Sequence, residues 1–274
     1  MNKNINFTIS ALVINLDGST DRLNFQKIQL QKVGITMERI RAVAVSDLSK
    51  DQYESLSNGW ERKLRPAEVA CFLSHKAAWQ QVLDKQTPLL ILEDDALLSK
   101  KTPELLSAID QNTHNADLIT LETRNRKKLL SKQYIPISTH FGLRQLYQDR
   151  TGAAAYILFP SGAKKLLNKS NECSTALADA FISSTYSLSS FQVIPAAAIQ
   201  LDQCENYELP LQNPFASTIT PADGVKPKPN STIDYYRYKL RRIFSQLRMG
   251  FRQLSVLHQS KRMTVQVDKN DFTL

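Results

Sequence analysis

Three consecutive carboxylates, Glu93, Asp94 and Asp95, are the residues of this sequence best suited to do chemistry. They directly follow an apolar run, residues 89–92, that begins after a proline. Such a run is typical of a strand buried on both faces, as in parallel sheets that helices cover. Adjacent carboxylates repel one another, and a divalent cation is the simplest partner that would hold them together. Taken alone, the three acids fit a solvated acidic turn better; the residues around them favour a site.

Apolar runs and helical patterns alternate along the chain and must position these acids. Strands are predicted at residues 9–14, 37–45, 89–92, 117–121, 143–147, 153–159 and 191–194, and helices at residues 19–33, 66–84, 161–168 and 175–188, with a helix opening at 102 and a basic loop at 123–131. This alternation predicts an α/β sheet flanked by helices. In open sheets of this class, ligands bind beyond the carboxyl ends of the strands, where the three acids lie. The glycine-rich fingerprints of dinucleotide and P-loop sites are absent from the sequence.

The charge of the chain is concentrated near its C-terminus. The 274 residues carry a net charge of +9, and residues 226–262 alone hold ten Lys and Arg against one acid, which leaves the remainder neutral. Residues 1–208 are predicted as one catalytic domain, and residues 209–232, rich in proline, as a linker. Residues 233–262 are predicted as a basic amphipathic helix and residues 263–274 as a tail.

Three cysteines, Cys71, Cys173 and Cys204, are widely spaced and show no CxxC pattern or histidine at a metal-binding spacing. Reduced thiols of a cytoplasmic protein are therefore expected. The N-terminal residues lack the apolar core and cleavage site of a signal peptide, and no apolar run approaches the ~20 residues of a membrane span.

Four blocks of residues, in one consistent order, resemble glycosyltransferase family 25, the enzymes of lipooligosaccharide biosynthesis. They are residues 13–17 with Asp21 and Arg22, residues 68–75 with Trp79, residues 90–95, and residues 151–156. The resemblance implies a GT-A-like nucleotide-sugar-binding fold, a UDP-sugar donor and inversion at the anomeric carbon. Galactose is the sugar it favours; UDP-glucose or a UDP-N-acetylhexosamine on the same machinery is the alternative.

The resemblance assigns roles to the acids. Mn²⁺ or Mg²⁺ would offset the charge that grows on the leaving diphosphate, and carboxylates are its preferred ligands. Glu93 and Asp95 point to the same side of an extended chain, so Asp95 is expected as a direct metal ligand. Glu93 or Asp94 would then hold the ribose or a metal-bound water, with Glu93 also a candidate metal ligand and Asp94 a candidate catalytic residue.

The remaining donor contacts are expected from three places. Asn15, Leu16, Asp17 and Arg22 end the first strand and begin its helix, Ser74 and His75 would form a wall of the donor site, and Thr151 and Gly152 would allow the backbone close to the sugar. Arg22 would pair with a phosphate or with Asp17. The structural alternatives are a capped turn with a surface ion pair, a packed histidine, and tight strand packing.

Asp179 is the candidate general base on the acceptor hydroxyl. It is an acid flanked by apolar residues in a predicted helix, where a helix cap or a buried ion pair is the competing explanation. The chain departs from the family here, because Ala178-Asp179-Ala180 stands where a Pro-Val-Asp-like stretch is expected, which leaves the role of Asp179 open.

The C-terminal helix carries an apolar stripe with bases around it. The stripe consists of Tyr236, Leu240, Ile243, Leu247, Phe251 and Leu254. Such a helix can lie on an anionic membrane, or pack on the main domain or on a second copy of the chain. A lipooligosaccharide acceptor favours a peripheral position on the cytoplasmic face of the inner membrane. A non-catalytic membrane-surface protein is the alternative from another class, and nucleic acid is not expected because the bases sit on one helix without interleaved aromatics across a sheet.

Overall fold

A computed structural model describes residues 7–112, 115–149, 152–172, 175–209, 213–215 and 227–272. The strands are β1 (Ser10–Asn15), β2 (Met37–Arg41), β3 (Leu89–Glu93), β4 (Ala96–Leu98), β5 (Leu118–Thr120), β6 (Lys127–Ser131), β7 (Ile135–Pro136), β8 (Gly142–Gln148), β9 (Ala155–Leu158), β10 (Ser190–Ile194), β11 (Ala198–Gln200) and β12 (Ser260–Thr264). The α-helices are α1 (Thr20–Lys32), α2 (Lys50–Ser57), α3 (Pro66–Lys85), α4 (Thr102–Asn112), α5 (Pro160–Glu172), α6 (Ala178–Ser183) and α7 (Thr232–Ser255).

One mixed sheet organises the molecule, in the order β12-β6-β8-β10-β5-β9-β3-β1-β2, with β7 paired to β8. The strand that carries the acids, β3, is parallel to β1 and antiparallel to β9. Parallel pairing is thus confined to β2-β1-β3 and β5-β10 among the described strands of this sheet. The predicted fold class, an α/β sheet flanked by helices, is confirmed.

The two faces of β3 belong to different layers. Leu90 and Leu92 pack in the apolar cluster that includes Leu30 of α1. Leu89 and Ile91 pack in the opposite cluster with Trp79 of α3. Since successive side chains of a strand point to opposite faces, a four-residue apolar run buries both faces of this central strand.

Helix α3 begins as its sequence indicates. Pro66 occupies the first helical turn, and Glu68 accepts a hydrogen bond from the backbone N–H of Arg65 at 2.8 Å. This arrangement satisfies one of the free N–H groups at the helix start and places a negative charge near the positive end of the helix dipole. The helix then runs for 20 residues along the sheet and carries Cys71 and His75.

Two predicted elements are wrong. The basic stretch 123–131 is not a loop throughout, because Lys127–Ser131 forms β6 and pairs with both β8 and β12. The predicted helix 175–188 is only the six-residue α6, Ala178–Ser183. Lys169 of α5 donates to the carbonyl of Phe181 and to the hydroxyls of Ser184 and Thr185, which satisfies polar groups where the helix stops.

The C-terminal segment also differs from its prediction. The helix ends at Ser255 rather than at residue 262, and Ser260–Thr264 forms the edge strand β12, antiparallel to β6. The predicted tail reaches the core, where Phe272 is fully buried with Leu97 and Ile199. Of the predicted linker, residues 210–212 and 216–226 lie outside the described residues.

Helix α7 packs on the domain through its polar side. Tyr238 donates to Asn58 at 2.6 Å, and Arg252 lies over the rings of Tyr147 and Tyr186. The six residues of the predicted stripe are instead 51–70% exposed. Packing of the stripe on the main domain, one alternative left open by the sequence, is therefore wrong. Within the described part of the chain, no helix combines the length and the apolar character that crossing a membrane requires.

Candidate active site

The three acids diverge where β3 ends. Glu93 continues the strand alternation and points to the layer of α3, where His75 Nε2 lies 3.1 Å from its Oε1. Asp94 points to α1 and accepts from Asn15 Nδ2 at 2.8 Å and from Arg22 at 3.1 Å. Both its oxygens are engaged, so Asp94 joins the strand end to α1, and its catalytic role stays a prediction.

Asp95 and Glu93 share a neighbour that the sequence analysis missed. The amide of Gln200, at the end of β11, donates to Glu93 Oε2 at 3.3 Å and to Asp95 Oδ1 at 3.4 Å. The two carboxylates therefore face the same place, as their spacing predicts. Arg22 lies 3.7 Å from Asp95 as well, so one guanidinium serves both aspartates.

Burial and the nearby charge of Glu93 raise the pKa of Asp95 to about 7. Both causes disfavour the ionised form, and the guanidinium of Arg22 offsets them only in part. A further cation would offset the remaining free-energy cost of ionising the Asp95 carboxyl. The donor set of Asp95 and Glu93, two carboxylates beside a carbonyl-bearing amide, fits Mn²⁺ or Mg²⁺, which prefer oxygen ligands.

A buried hydrogen-bonded chain holds Glu93 from behind. Trp79 donates to the hydroxyl of Tyr156 at 2.9 Å, and His75 Nδ1 lies 3.0 Å from the same hydroxyl. Because Trp79 donates to its oxygen, the Tyr156 hydroxyl can give its proton to Nδ1, so that Nε2–H donates to Glu93. His75 is 1% exposed, so it acts on the site through Glu93 rather than by touching a sugar.

The contacts of the turn between β1 and α1 differ from their prediction. Asp17 pairs with Arg39 at 2.5 Å and with Arg41 at 2.7 Å, and not with Arg22. Asn15 is 1% exposed and donates to both Asp94 and the Ser19 carbonyl. Its amide is thus used for positioning, whereas Asp17, 58% exposed at its side chain, stays available at the rim.

Two further predicted donor contacts pack against other parts of the protein: Leu16 is half-buried and Ser74 is buried. Leu16 packs against the α3-side cluster. Ser74 is buried, donates to the Ala70 carbonyl and accepts from the backbone N–H of Val43, both at 2.8 Å. Ser74 therefore joins α3 to the segment after β2 and supports the site from outside it.

An open cleft lies between Tyr156 and α6. Its lining includes Asp149, Gly152, Tyr156, Asp179, Tyr186 and Arg252. Tyr156 belongs both to this cleft and to the chain that holds Glu93, so the two places share a wall. Thr151, predicted beside Gly152, lies outside the described residues.

Asp179 stands at the first turn of α6 and accepts from the backbone N–H of Ala180 at 2.7 Å. Burial raises its pKa, and the negative charges of Glu93 and Asp149 act in the same direction. Its position in the cleft and the direction of its pKa shift favour Asp179 as the general base, and that role stays a prediction.

A buried polar cluster under the cleft was missed, because its cation was assigned to a loop. Lys128 of β6 is 2% exposed at its side chain and pairs with Asp149 at 2.6 Å. It also donates to Gln192 at 2.6 Å and to the Glu122 carbonyl at 3.1 Å. In the sequence Lys128 stands in a basic stretch next to Lys127, which is exposed, so no local signal distinguishes the buried lysine from its neighbour.

The predicted absence of metal-binding spacing at the cysteines is also wrong. Cys71 and His75 lie one helical turn apart on α3, and their ligand atoms and a Glu93 oxygen all lie within 4.8 Å of one another. The i, i+4 spacing on one helix face was visible in the sequence.

Comparison with known proteins assigns the chain to a family. The pattern of Glycosyltransferase family 25 (LPS biosynthesis protein) matches residues 8–182, which include β3 and α6. The chain therefore belongs to glycosyltransferase family 25, and the resemblance drawn from its four blocks is confirmed. It is a glycosyltransferase.

Several relatives with assigned names are similar to the chain over part of its length. The lipooligosaccharide biosynthesis protein lic2B of Haemophilus influenzae is 26% identical, over 70% of this chain and 76% of that protein. Procollagen galactosyltransferase 2 of Homo sapiens is 29% identical, over 44% of this chain and 21% of that protein. The lacto-N-neotetraose biosynthesis glycosyltransferase LgtE of Neisseria meningitidis is 29% identical, over 35% of this chain and 36% of that protein.

Solved structures align more loosely. A glycosyltransferase involved in the glycosylation of the major capsid of PBCV-1 aligns over 60% of this chain and 66% of that one, with a TM-score of 0.32 and 14% identity. The inositol-1-phosphate CTP transferase from T. maritima aligns over 85% and 75%, with a TM-score of 0.34 and 11% identity.

Proposed function

We propose that this glycosyltransferase moves a hexose, galactose in the first instance, from a UDP-sugar to a lipooligosaccharide acceptor with inversion. The observation that carries the proposal is the pair of carboxylates, Glu93 and Asp95, that face one place at the end of β3 beside Arg22. The names of the relatives lic2B and LgtE support the acceptor class, and that of the human procollagen galactosyltransferase supports the sugar.

The donor diphosphate is assigned to the acid cluster. Asp95 and Glu93 would hold Mn²⁺ or Mg²⁺, and the cation would supply charge stabilisation to the leaving diphosphate. Gln200 and the His75–Tyr156–Trp79 chain keep the two carboxylates oriented, so little reorganisation is needed on binding. Arg22 adds a fixed positive charge, and Asp94 and Asn15 hold its helix against the strand.

The acceptor is assigned to the cleft between Tyr156 and α6. Asp179 lines it and would remove the proton of the attacking hydroxyl. Inversion requires the base and the leaving group to lie on opposite sides of the anomeric carbon. For this reason the acceptor and the donor diphosphate are assigned to different places, the cleft and the acid cluster.

A donor screen by thermal melting tests this proposal. The full chain is heated with UDP-galactose, UDP-glucose or UDP-N-acetylglucosamine, each with Mn²⁺ or with EDTA, alongside the Asp95→Asn variant. A ligand present at 100 times its Kd stabilises by about 2.7 kcal/mol. At ~2 °C per kcal/mol, this raises Tm by about 5 °C.

We expect that rise for UDP-galactose with Mn²⁺ in the wild type and a much smaller one in Asp95→Asn. A larger rise with another UDP-sugar would reassign the donor. Equal rises in EDTA would remove the metal from the mechanism, and no rise with any UDP-sugar would overturn the donor class.

We further propose that α7 anchors the enzyme on an anionic membrane surface, on the cytoplasmic face where sugar nucleotides are made. Its apolar stripe points away from the domain, while Arg237 and Arg242 flank it with side chains 65% and 57% exposed. Each base near an anionic leaflet contributes about 1 kcal/mol. A second copy of the chain would cover the stripe as well. The basic side chains around the stripe on the two copies would then face each other and repel.

Liposome flotation distinguishes a membrane from a second copy of the chain as the partner of the stripe. The full chain should float with anionic and not with neutral vesicles at low salt, and a Leu247→Glu, Phe251→Glu variant should not float. Ile28→Glu on α1, where the side chain is 45% exposed, is the matched control and should float normally. Dimers that persist without vesicles and are lost in the double variant would instead assign the stripe to a second copy.

A further inference from the structure

One cluster at the site has a composition that a nucleotide-sugar does not require. Cys71, His75 and Glu93 offer a thiol, an imidazole and a carboxylate, with their ligand atoms all within 4.8 Å of one another. Sulfur and imidazole nitrogen are preferred by softer cations such as Zn²⁺, whereas Mg²⁺ and Mn²⁺ prefer oxygen. The proposed transfer reaction leaves Cys71 without a role.

The spacing of the three ligand atoms is close to that of a tetrahedral zinc site. Zn–N and Zn–O bonds of about 2.0–2.1 Å place a nitrogen and an oxygen ligand ~3.3 Å apart, and a Zn–S bond of about 2.3 Å places sulfur ~3.6 Å from either. His75 Nε2 and Glu93 Oε1 are already 3.1 Å apart. The Cys71 sulfur lies within 4.8 Å of both atoms, so it must move at most ~1.2 Å closer to reach this spacing.

The ligands are also held as zinc ligands usually are. Cys71 and His75 project from one face of the 20-residue helix α3, and Glu93 ends a central strand. Zinc at Nε2 requires the other tautomer of His75, in which Nε2 has released its proton and Nδ1–H donates to the Tyr156 hydroxyl, as metal-bound imidazoles usually do. Burial of its sulfur and the nearby acids raise the pKa of the Cys71 thiol, so the thiol would lose its proton only as the cation binds. The residue as a whole is exposed and Glu93 is half-buried, so a cation can enter from solvent and keep a fourth, water-bound position.

We propose that Cys71, His75 and Glu93 bind Zn²⁺ and that this binding inhibits transfer. The inhibitory part rests on the proposed function, in which Glu93 serves the donor cation together with Asp95. A zinc ion bound through Glu93 withdraws that carboxylate from the donor side. The enzyme would thus be active with a hard cation and switched off by a thiophilic one.

The binding test needs neither donor nor acceptor, so its outcome is independent of the proposed function. The metal-free full chain competes with a chromophoric chelator for Zn²⁺, and Co²⁺ is added separately to detect thiolate-to-cobalt charge transfer. Cys71→Ala should weaken Zn²⁺ binding at least ~100-fold and abolish the cobalt band. Cys204→Ala, which changes a cysteine buried elsewhere, is the matched control and should bind as the wild type does.

The inhibition is tested in the transfer assay with Mn²⁺. Zn²⁺ should inhibit the wild type and Cys204→Ala, while Cys71→Ala should keep its basal rate and resist Zn²⁺. Equal zinc affinity in the wild type and Cys71→Ala would overturn the site. Tight binding through Cys71 with equal inhibition of both variants would overturn the inhibitory role.

Discussion

Replacing Glu122 by glutamine should make the stability of the fold less sensitive to alkaline pH. The Glu122 carboxyl is 1% exposed, and burial raises its pKa from 4.5 to about 8. One oxygen accepts from the backbone N–H of Ala154 at 2.6 Å, and the other has no hydrogen-bond partner among the described residues. The carboxyl is therefore protonated in the folded protein at neutral pH.

The sign follows from proton linkage. Between the two pKa values the folded state holds a proton that the unfolded state has released, so the free energy of unfolding falls as pH rises from 4.5 to about 8. At 1.36 kcal/mol per pH unit, the full loss has a ceiling of about 5 kcal/mol. Local relaxation reduces this ceiling, and we expect a change of at least ~2 kcal/mol.

Urea unfolding of the wild type and Glu122→Gln, at pH 5 and pH 8.5, measures the effect. The glutamine keeps the acceptor for Ala154 and does not titrate, so the variant should gain on the wild type by at least ~2 kcal/mol between the two pH values. Any unsatisfied polar atom of the glutamine costs the same at both pH values and cancels. A stability difference that is unchanged by pH, or that moves against the variant, would refute a raised pKa at Glu122.

Three other substitutions test separate parts of the site, and a fourth, in α7, is a control for the third. Asp179→Asn should lower kcat by ~10²-fold with little change in donor affinity; a loss of donor affinity at unchanged kcat would make Asp179 a binding residue. Tyr156→Phe leaves the Trp79 N–H without its acceptor and should cost about 1–3 kcal/mol in urea unfolding; no change would show that the buried hydroxyl is dispensable. Gly152 has φ of +104° and a Cβ there would lie 2.7 Å from a buried carboxylate oxygen, so Gly152→Ala should lower Tm. Gly250→Ala meets nothing within 4 Å inside α7 and should raise stability by about 0.5–1 kcal/mol; equal effects of the two alanines would contradict the close approach at Gly152.

The sequence predicted the parts of the fold that depend on local pattern. The apolar run ahead of Glu93 is β3, Pro66 opens α3, and Gly34 ends α1 with φ of +70°. These features follow from side-chain burial, fixed proline φ and the freedom of glycine, all of which act over a few residues.

The errors occurred where distant residues decide the structure. Lys127–Ser131 is a strand because β8 and β12 pair with it, and β12 lies more than a hundred residues away. The same limit applies to Gln200, whose amide meets Glu93 and Asp95 only through the fold. The composition of a short segment does not indicate which distant strand or side chain will pair with it.

At the site, the sequence predicted which residues would be present better than it predicted the contacts that each one makes. Glu93 and Asp95 face one place, as predicted, but Asp94 and Asp95 form a turn after β3 instead of extending the strand. Asn15 instead donates a hydrogen bond to Asp94, because an amide and a carboxylate that are enclosed by protein need hydrogen-bond partners. Which member of an acid run faces the ligand depends on the helices opposite it.

The pairing of β12 with β6 determines how the C-terminus can be handled in the laboratory. A chain cut before α7 would lose more than the exposed apolar stripe. It would expose the hydrogen-bonding edge of β6 and leave the pocket of Phe272 empty. An uncovered strand edge invites pairing with other chains, so such a truncation would aggregate for reasons unrelated to membranes. Soluble forms of this enzyme are better sought by exchanging surface side chains of α7 than by shortening the chain.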